Sequence, residues 1–515
     1  MAVDSERIGL RHHAERFPDK LALAIGDARC TYGEFNARVN RLARALRRIG
    51  IGPGDTVAAV LHNDIAWLEL LNALGKIGGL LVPVGYRLRA PEIAYMLDDS
   101  AASAIVVDPT LVGELDRATA GRPWREDRLW VTGGGRVFAR GLGYEDVLEA
   151  ESPDEPDRSY IGGGHNVLIY TSGTTGRPRA VDRRMDPGSV HLASLAVARM
   201  WDLDERDIHL AAAPMYHTGP GAYAQLHVLI GGTAVVMRQF DPRESLALIE
   251  QHRATNAFMV PTHLTRIMQL EREVRESYRL DSIRLLMHSA APCPLHVKRG
   301  IMGLFPPGTV TEFYGSSESG FTRITAQEWL LKPGSVGRPW PGHEIRILDD
   351  YGNPCAPGDV GLIYVRGPRM DFSYRTPNDD GPAAFRDGFF TAGDLGYLDD
   401  DGYLFIADRR TDLIISGGAN VYPAEVENVL AAHPSVADVA VLGVPHDELG
   451  KSVLAVVEGR AGEVVDADEI IAYANDNLAR YKCPTRVEVV DRLPREPNGK
   501  IRKTELLARY WPHRI

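Results

Sequence analysis

The feature that most constrains this chain is an alternation of short buried strands with helical segments along its first half. β-Branched and apolar runs, which are typical of buried strands, occur at 56–61, 79–84, 104–107 and 167–170. Helical patterns lie at 31–49 and 66–76, and Thr31 with Glu34 forms the sequence of a capping box. This alternation predicts α/β layers with a mostly parallel sheet.

The pattern changes from about residue 337. Apolar and polar residues alternate at 344–348, 361–366 and 403–406 between Gly, Asp and Pro turns, which predicts a smaller, more antiparallel β subdomain. A mixed α and β pattern returns from about residue 413 and extends over about 100 residues, enough for a separate core. We expect an α/β fold with a large N-terminal domain at 1–408, a hinge at 409–412 and a small, mobile α+β domain at 413–515.

Composition and charge exclude several classes of protein. The 515 residues carry a net charge of −11, so a generally basic nucleic-acid binder is not expected. Four distant cysteines form no CxxC pair or Cys/His ladder, which argues against a zinc site or a disulfide framework. The first ten residues lack the apolar core of a secretory signal, and no apolar stretch reaches the length of about 18 residues that a membrane span needs. We therefore expect a protein of the reducing cytoplasm with no membrane span.

A loop rich in glycine and hydroxyl side chains follows the strand pattern at 167–170. Its sequence at 170–179 is YTSGTTGRPR. Small side chains let backbone N–H groups face an anion, hydroxyls add donors, and Arg177 and Arg179 add positive charge. The segment thus has the chemistry of a phosphate-binding loop, although its hydroxyls precede the basic residue, unlike the Walker pattern. On composition alone, a flexible surface loop explains it equally well.

The same loop resembles the YTSGTTGxPKG signature of the adenylate-forming superfamily, which includes acyl-CoA synthetases, peptide-synthetase adenylation domains and luciferases. Further segments are similar to other signatures of that superfamily, in the expected order: PMYHTG at 214–219, YGSSE at 314–318, GDLG at 393–396, DRRTDLIISGG at 408–418, NVYPAEVE at 420–427 and PNGKIR at 497–502. The resemblance covers nearly the whole chain. It indicates the acyl-CoA ligase branch.

The resemblance implies two half-reactions that use ATP, CoA and Mg²⁺. A carboxylate attacks the α-phosphate of ATP to give an acyl-adenylate and pyrophosphate, and a thiol, usually that of CoA, then displaces AMP. Because phosphate chemistry depends on charge neutralisation, the implied catalytic residues are Lys500, Thr174 and Glu318, with Glu318 holding Mg²⁺. A surface lysine and a solvated loop carboxylate are the alternative explanations of Lys500 and Glu318.

Cofactor contacts are implied at the other signature positions. The phosphate loop contributes Thr171, Ser172, Gly173, Thr175, Gly176 and Arg179. The adenine and its surroundings involve Ser289, Ala290, Ala291, Glu312, Phe313, Tyr314 and Ser317. Asp394 would accept hydrogen bonds from the ribose, Arg409 would reach the ribose or phosphate, and Gly417 and Gly418 would lie beside the pantetheine arm.

The substrate pocket and the approach of CoA are predicted from other segments. The pocket residues are Tyr216, His217, Tyr223, Phe258 and Gly315, with His217 as a packed wall residue rather than an acid or base. Gly219, Gly221 and Ala222 would leave room for a bulky group. Residues 480–515 hold ten Lys and Arg against four acids, an excess that would attract the CoA phosphates or simply form a solvated basic face.

Departures from the signatures concern the phosphate loop and the hinge. The usual Lys-Gly is Arg179-Ala180, which exchanges a compact ammonium for a planar fork and adds a Cβ where glycine allows any backbone angle. Thr411 occupies the hinge position that is commonly Asp or Lys, and Lys451 stands where an acid is common. These changes put pyrophosphate handling and domain rotation in question.

Several functions stay open at this point. The first is a CoA ligase for a carboxylic acid; the segments at 288–293 and 417–423 are similar to ligases for bulky polycyclic or terpenoid acids, such as bile-acid and diterpenoid-acid CoA ligases. The others are a ligase that makes only the thioester from an acyl-adenylate supplied by a partner enzyme, a ligase that loads a carrier protein, and a nucleotide-binding protein without adenylation. A homodimer is also open.

Overall fold

A computed structural model of the chain describes residues 8–121, 124–133, 141–156, 166–171, 179–182, 187–316, 320–368, 373–374, 385–409, 412–416, 419–446, 449–496 and 500–510. The helices are α1 Leu10–Arg16, α2 Tyr32–Arg48, α3 Ile65–Ile77, α4 Ala90–Asp99, α5 Val112–Ala118, α6 Tyr144–Glu149, α7 Pro187–Met200, α8 Thr218–Ile230, α9 Pro242–His252, α10 Pro261–Met268, α11 Arg272–Arg275, α12 Leu295–Leu304, α13 Ala326–Leu331, α14 Pro423–Leu430, α15 Ala467–Asn477 and α16 Lys503–Tyr510.

The strands before residue 300 are β1 Leu21–Ile25, β2 Ala28–Thr31, β3 Thr56–Val60, β4 Leu80–Val84, β5 Ala104–Val107, β6 Leu129–Val131, β7 Leu142–Gly143, β8 Asn166–Val167, β9 Ile169–Thr171, β10 Arg179–Asp182, β11 Ile208–Ala211, β12 Thr233–Val236, β13 Asn256–Met259 and β14 Leu285–His288. The later strands are β15 Val310–Gly315, β16 Gly320–Thr325, β17 Ser335–Pro339, β18 Glu344–Leu348, β19 Gly361–Arg366, β20 Ser373–Tyr374, β21 Phe385–Arg386, β22 Phe389–Phe390, β23 Asp394–Leu398, β24 Leu404–Arg409, β25 Ile414–Ser416, β26 Ala419–Val421, β27 Val436–His446, β28 Gly450–Gly459 and β29 Arg486–Val490.

The chain divides into two compact units. The first comprises Met1–Met259, Leu270–Leu286 and Asp371–Pro377, and the second Val260–Gln269, Met287–Met370 and Asn378–Ile515. The hinge predicted at 409–412 lies inside the second unit, and its role as a domain boundary stays a prediction. In the described part of the chain, no helix has the length and apolar character required to cross a bilayer.

The first unit confirms the predicted α/β layering. Its six-stranded sheet has the order β7-β6-β5-β3-β4-β8, and all of its pairs are parallel. The neighbouring strands β2-β1-β12-β11-β13 belong to a second, longer sheet, and among them only β1 and β2 are antiparallel. Helix α2 begins after Thr31, and the capping box with Glu34 is formed. Buried leucines, valines and alanines of α2, α3 and the strands make one large core, consistent with continuous apolar strands covered on both faces.

One strand prediction in this unit is wrong. The run at 167–170 is divided: β8 pairs with β4 in the parallel sheet, whereas β9 pairs with β10 in a separate antiparallel sheet. Leu168, between them, is buried and still donates its N–H to the carbonyl of Leu81. The chain therefore leaves the parallel sheet just before the glycine- and hydroxyl-rich segment begins.

The second unit contains the predicted antiparallel region. Strands β16, β17, β24, β23, β19, β22 and β21 follow one another as antiparallel neighbours, and β18 pairs with β19. After residue 413 a further sheet, β27-β28-β29, is covered by α14 and α15 on one side and α16 on the other. The two apolar cores of this segment draw all their members from residues 414–510, as expected for a part of the chain with its own core.

Candidate active site

The described part of the second unit brings together Tyr314, Asp394 and Arg409, which we call the Tyr-Asp-Arg cluster. Asp394 begins β23 and lies directly opposite Arg409 in β24, so sheet register alone makes these two residues neighbours. The Tyr314 hydroxyl donates to Asp394 Oδ2 at 2.6 Å, and Arg409 Nε lies 3.3 Å from Asp394 Oδ1. Both carboxylate oxygens are therefore engaged, and Asp394 is held rigidly at 7% exposure.

Electrostatics link this cluster to the segment that carries Lys500. Burial lowers the pKa of Arg409, but the charges of Asp394, Asp412 and Glu496 raise it, and the pKa ends above its ordinary value. Glu496 donates its N–H to the carbonyl of Lys500 at 2.7 Å, next to a bridge between Arg495 and Ile501. Glu496, which is bonded to the backbone of Lys500, is therefore also within electrostatic reach of Arg409.

The segments predicted to contact adenine lie at the ends of β14 and β15. Ser289 is buried directly after β14, and Ala290 has a φ of +81°, in the left-handed region that side chains other than glycine rarely adopt. Tyr314 and Gly315 end β15, while the Phe313 ring packs 6.2 Å from Trp340. The Glu312 carboxylate is buried and paired with Lys298, so a nucleotide contact at this position falls to the backbone.

The first unit contains four of the five predicted pocket residues, Tyr216, His217, Tyr223 and Phe258, which we call the aromatic cluster; Gly315 belongs to the second unit. Tyr216 and His217 precede α8 with ring centroids 4.2 Å apart, and Tyr223 of α8 stacks on Phe258 of β13 at 5.6 Å. A Cβ added to Gly219 would contact Phe258 at 3.4 Å, an ordinary van der Waals distance. These residues form two aromatic contacts, of which the Tyr223–Phe258 pair is stacked and the Tyr216–His217 pair is tilted.

The expectation that Gly221 leaves room for a substrate is wrong. A Cβ at Gly221 would approach the Met215 carbonyl to 2.4 Å and the Trp67 ring to 2.7 Å. The missing side chain therefore allows α8 to pack against its own unit, and it adds no pocket volume.

Behind the aromatic cluster lies a network that the sequence reasoning missed, formed by His209, Asn256 and His227. His209 Nδ1 lies 2.7 Å from Asn256 Oδ1, Asn256 Nδ2 lies 3.1 Å from His227 Nε2, and the two imidazoles stack at 4.6 Å. Burial lowers the pKa of His227 to about 4 and that of His209 well below its ordinary value, so both rings are neutral at pH 7. The sequence signal that could have revealed this network is a polar residue at a core-facing position in each of the three elements β11, α8 and β13.

The phosphate loop is described only at its two ends. Thr171 and Arg179 are paired across the antiparallel strands β9 and β10, and Ala180 is opposite Tyr170. Ala180 is buried in extended strand backbone, which any residue adopts, so the argument that its Cβ restricts the loop is wrong. The predicted residues Ser172, Gly173, Thr174, Thr175, Gly176, Ser317, Glu318, Gly417 and Gly418, together with Thr411, lie outside the described residues.

Acids from earlier in the chain offset about half of the basic excess at 480–515. Of the nine cations that the structure describes in this segment, six form ion pairs, three of them with acids from earlier in the chain: Lys482 with Glu425, Lys503 with Glu427 and Arg495 with Asp438. The others are Arg486 with Glu488, and Arg502 and Arg509 with Glu505. The local net charge therefore overstates the attraction for CoA phosphates.

Comparisons with known proteins agree on one family. The AMP-binding enzyme model matches residues 10–374, and the model of the AMP-binding enzyme C-terminal domain matches residues 425–500. The chain is 35% identical over 506 residues to a feruloyl-CoA synthase of an Amycolatopsis species, covering 96% of this chain and 97% of the relative. It is 33% identical to a 2-succinylbenzoate–CoA ligase of Geobacillus kaustophilus, covering 96% of each chain.

Solved structures agree with these relatives. The o-succinylbenzoate CoA synthetase of Bacillus subtilis in complex with its acyl-adenylate intermediate superposes with a TM-score of 0.81 at 29% identity, covering 96% of this chain and 97% of that one. The predicted fold class, a large α/β region followed by a small C-terminal domain, is therefore confirmed. The chain belongs to the AMP-binding enzyme family, and within it is an AMP-forming acid–CoA ligase that uses ATP, CoA and Mg²⁺.

Proposed function

We propose that this ligase carries out both half-reactions on an aromatic carboxylic acid. The acid oxygen attacks the α-phosphorus of ATP and pyrophosphate leaves; the CoA thiol then attacks the acyl carbonyl, its proton is lost, and AMP leaves. The observation that carries this proposal is the Tyr-Asp-Arg cluster, in which a carboxylate is fixed by a tyrosine hydroxyl and a guanidinium. A rigid acceptor of this kind suits the two hydroxyls of a ribose.

In this proposal three residues contact different parts of the nucleotide. Asp394 holds the ribose, Tyr314 packs on the adenine, and Lys500 stabilises the charge that builds up on the α-phosphate during adenylation. Mg²⁺, when bound, neutralises phosphate charge; Glu318 is its proposed ligand on sequence grounds. The segment after residue 412 is proposed to rotate about 409–412 between the half-reactions, so that Lys500 serves only the first.

The aromatic cluster supports the choice of acid. Tyr223 and Phe258 stack on each other and make the surroundings of Tyr216 and His217 apolar and aromatic, which favours ring-bearing acyl groups. Similar proteins named for feruloyl, 2-succinylbenzoate and indoleacetate act on aromatic acids, whereas others of comparable identity are named for fatty acids, so the panel below includes both classes. Bulky polycyclic acids have less support, because the space at Gly221 is filled by Met215 and Trp67.

A panel of acids tests the proposal. Pyrophosphate release and acyl-CoA formation are measured with ferulate, 2-succinylbenzoate, indoleacetate, a long-chain fatty acid and a bile acid. We expect the highest kcat/KM with one of the aromatic acids and equal yields of pyrophosphate and thioester. A preference for the fatty or bile acid would contradict the acid class. Thioester formed from synthetic adenylates without pyrophosphate release from any acid would instead indicate the thioester-only ligase, and a carrier protein in place of CoA tests the remaining acceptor.

A further inference from the structure

A buried charged pair lies beneath the segments assigned to adenine. Lys298 of α12 is 1% exposed, and its ammonium is paired with the carboxylate of Glu312, which is 7% exposed, in β15. The Lys298 Nζ also lies 4.7 Å from the centre of the Trp329 ring. His288 Nε2 is 3.8 Å from Glu312 Oε2, but burial and the charge of Lys298 hold the pKa of His288 well below its ordinary value. The pair therefore consists of Lys298 and Glu312, with a neutral imidazole beside it.

Stability alone does not account for such a pair. Removing two charges from water costs free energy that their attraction barely offsets, and apolar residues of similar volume often stabilise a protein more. The best-attested role of buried ionic groups is to fix the register of the elements that carry them. Lys298 and Glu312 belong to different elements, so the pair fixes α12 relative to β15.

Both elements lead directly into the assigned adenine segments. Helix α12 follows Ser289–Ala291 after the short connection from Pro292 to Pro294. In β15, Glu312 and Tyr314 are two residues apart and lie on the same face of the strand. A shift of α12 against β15 would therefore change the separation between Ser289–Ala291 and Tyr314.

A second observation concerns the backbone of the Ser289–Ala291 segment, which is in a strained conformation. Ala290, in the middle of the first segment, has a φ of +81°. A non-glycine residue keeps such a conformation only where its surroundings enforce it, and these residues cluster at ligand-binding sites. The segment is thus held in one geometry rather than left to relax.

We propose that Lys298 and Glu312 are positioning residues for ATP: their buried pair fixes α12 against β15 and so sets the adenine site between Ser289–Ala291 and Tyr314. This inference rests on the proposed function, because it takes those segments as the adenine contacts. It predicts that loss of the pair weakens nucleotide binding specifically and leaves the acid site, which other residues form, unchanged.

The test compares Lys298→Met with a matched control, Lys76→Met. Lys76 is also a largely buried lysine, paired with Glu155 in the first unit and bonded to Asn36 and Asn40. Both variants leave a carboxylate without its cation, so both should lower Tm. We expect Lys298→Met to raise the KM for ATP and the Kd for AMP by about tenfold or more, the effect of roughly one lost charge-assisted contact. The KM for the acid should not change, and Lys76→Met should change neither constant.

A double variant separates positioning from folding. The double variant Lys298→Met with Glu312→Leu leaves no unpaired buried charge, so its Tm should recover. Its KM for ATP should stay raised, because apolar contacts hold α12 in position against β15 less specifically than the charged pair does. Recovery of both values, or equal changes in the KM for ATP and acid, would overturn the proposal. If the unaltered protein releases no pyrophosphate with any acid, the proposed function fails, and AMP binding measured by calorimetry still decides the positioning role.

Discussion

The Tyr-Asp-Arg cluster and the aromatic cluster differ in how their residues are held. In the first, the Tyr314 hydroxyl donates a hydrogen bond to Asp394, Arg409 forms an ion pair with the same carboxylate, and the charges of Asp412 and Glu496 act on Arg409. In the second, ring stacking positions Tyr223 and Phe258, and the histidines behind them are neutral. Charge therefore organises one cluster, and shape organises the other.

This difference suits the ligands proposed for the two clusters. A nucleotide keeps the same ribose and phosphates in every member of a family, so fixed charges recognise it well. The acid varies from one ligase to the next, and a neutral wall can be reshaped by single substitutions without leaving an unpaired charge. Variants of the two clusters should consequently change different kinetic constants.

The largest expected effect comes from removing the charge of Lys500. Lys500→Ala should lower the rate of acyl-adenylate formation by about 10²–10³-fold or more, since a preorganised cation at the transition state is lost. Thioester formation from a synthetic adenylate should be spared, because the thiol attacks the acyl carbon. Pyrophosphate release and thioester yield measure the two steps, and equal losses in both would refute the assigned role.

One buried group in each unit, Asp408 and His227, should make the stability of the protein depend on pH, and the two effects should have opposite signs. Burial raises the pKa of Asp408 to about 6, partly offset by Lys503, so ionising it in the folded state costs up to about 3 kcal/mol between pH 4 and 6. The unaltered protein loses that stability as pH rises, so Asp408→Asn should gain Tm relative to it. Burial lowers the pKa of His227 to about 4, and the unfolded chain takes up the proton first as pH falls below its ordinary value. His227→Gln should therefore gain relative Tm as pH falls.

Thermal unfolding at about pH 4 and pH 8 measures the Tm difference between each variant and the unaltered protein, because the pH range between these values includes the titration of each group. Parallel trends in the two variants would contradict the assigned protonation states. A Tm difference that does not change with pH in either variant would do the same for that residue.

Exchange of one residue in each cluster should separate the kinetic constants. Asp394→Ala should raise the KM for ATP and the Kd for AMP by about 10–100-fold, because charge-assisted hydrogen bonds contribute roughly 1.5–3 kcal/mol. Phe258→Leu keeps an apolar side chain but removes the ring that stacks on Tyr223, and it should change only the KM for the acid, by a smaller factor. Steady-state kinetics with each substrate varied in turn check this. A Phe258→Leu effect on ATP as large as that on the acid would show that the clusters do not divide the substrates.

How far the sequence alone predicts this molecule depends on whether a feature is local. The capping box of Thr31 and Glu34 and the apolar runs of β3 and β5 were predictable, because each depends on neighbouring residues. The division of 167–170 between two sheets was not, since it depends on which distant strands are available for pairing. The pairing of Lys482 with Glu425 was likewise hidden, because net charge counted along the chain ignores partners from another element.

Candidate residues follow the same rule. Asp394 and Arg409 were identified through signatures that are contiguous in sequence, and the register of β23 and β24 then brought them together. His209, Asn256 and His227 are 18 to 47 positions apart and belong to no signature, so only folding reveals their network. The role of Gly221 was misjudged because the space beside it is filled by Met215 and by Trp67, and Trp67 lies on α3, far away in the sequence.

The smallest expected effect concerns the phosphate loop, where the two departures can now be separated. Ala180 lies in strand backbone with its methyl group in the core of the first unit, so Ala180→Gly should leave both half-reactions unchanged and cost about 0.5–1 kcal/mol of stability. Arg179, at the other side of the loop from Thr171, keeps the positive charge but on a planar fork that is bulkier than an ammonium. We expect the unaltered enzyme to be slower in adenylation than in thioester formation.

Arg179→Lys should then raise the rate of pyrophosphate release by a few-fold, roughly 1 kcal/mol, and leave the conversion of a preformed adenylate to acyl-CoA unchanged, because the adenylate lacks the β- and γ-phosphates. Single-turnover measurement of each half-reaction decides the matter. If pyrophosphate release already keeps pace with thioester formation and Arg179→Lys does not change it, the arginine is a neutral replacement and the loop imposes no limit on the first step.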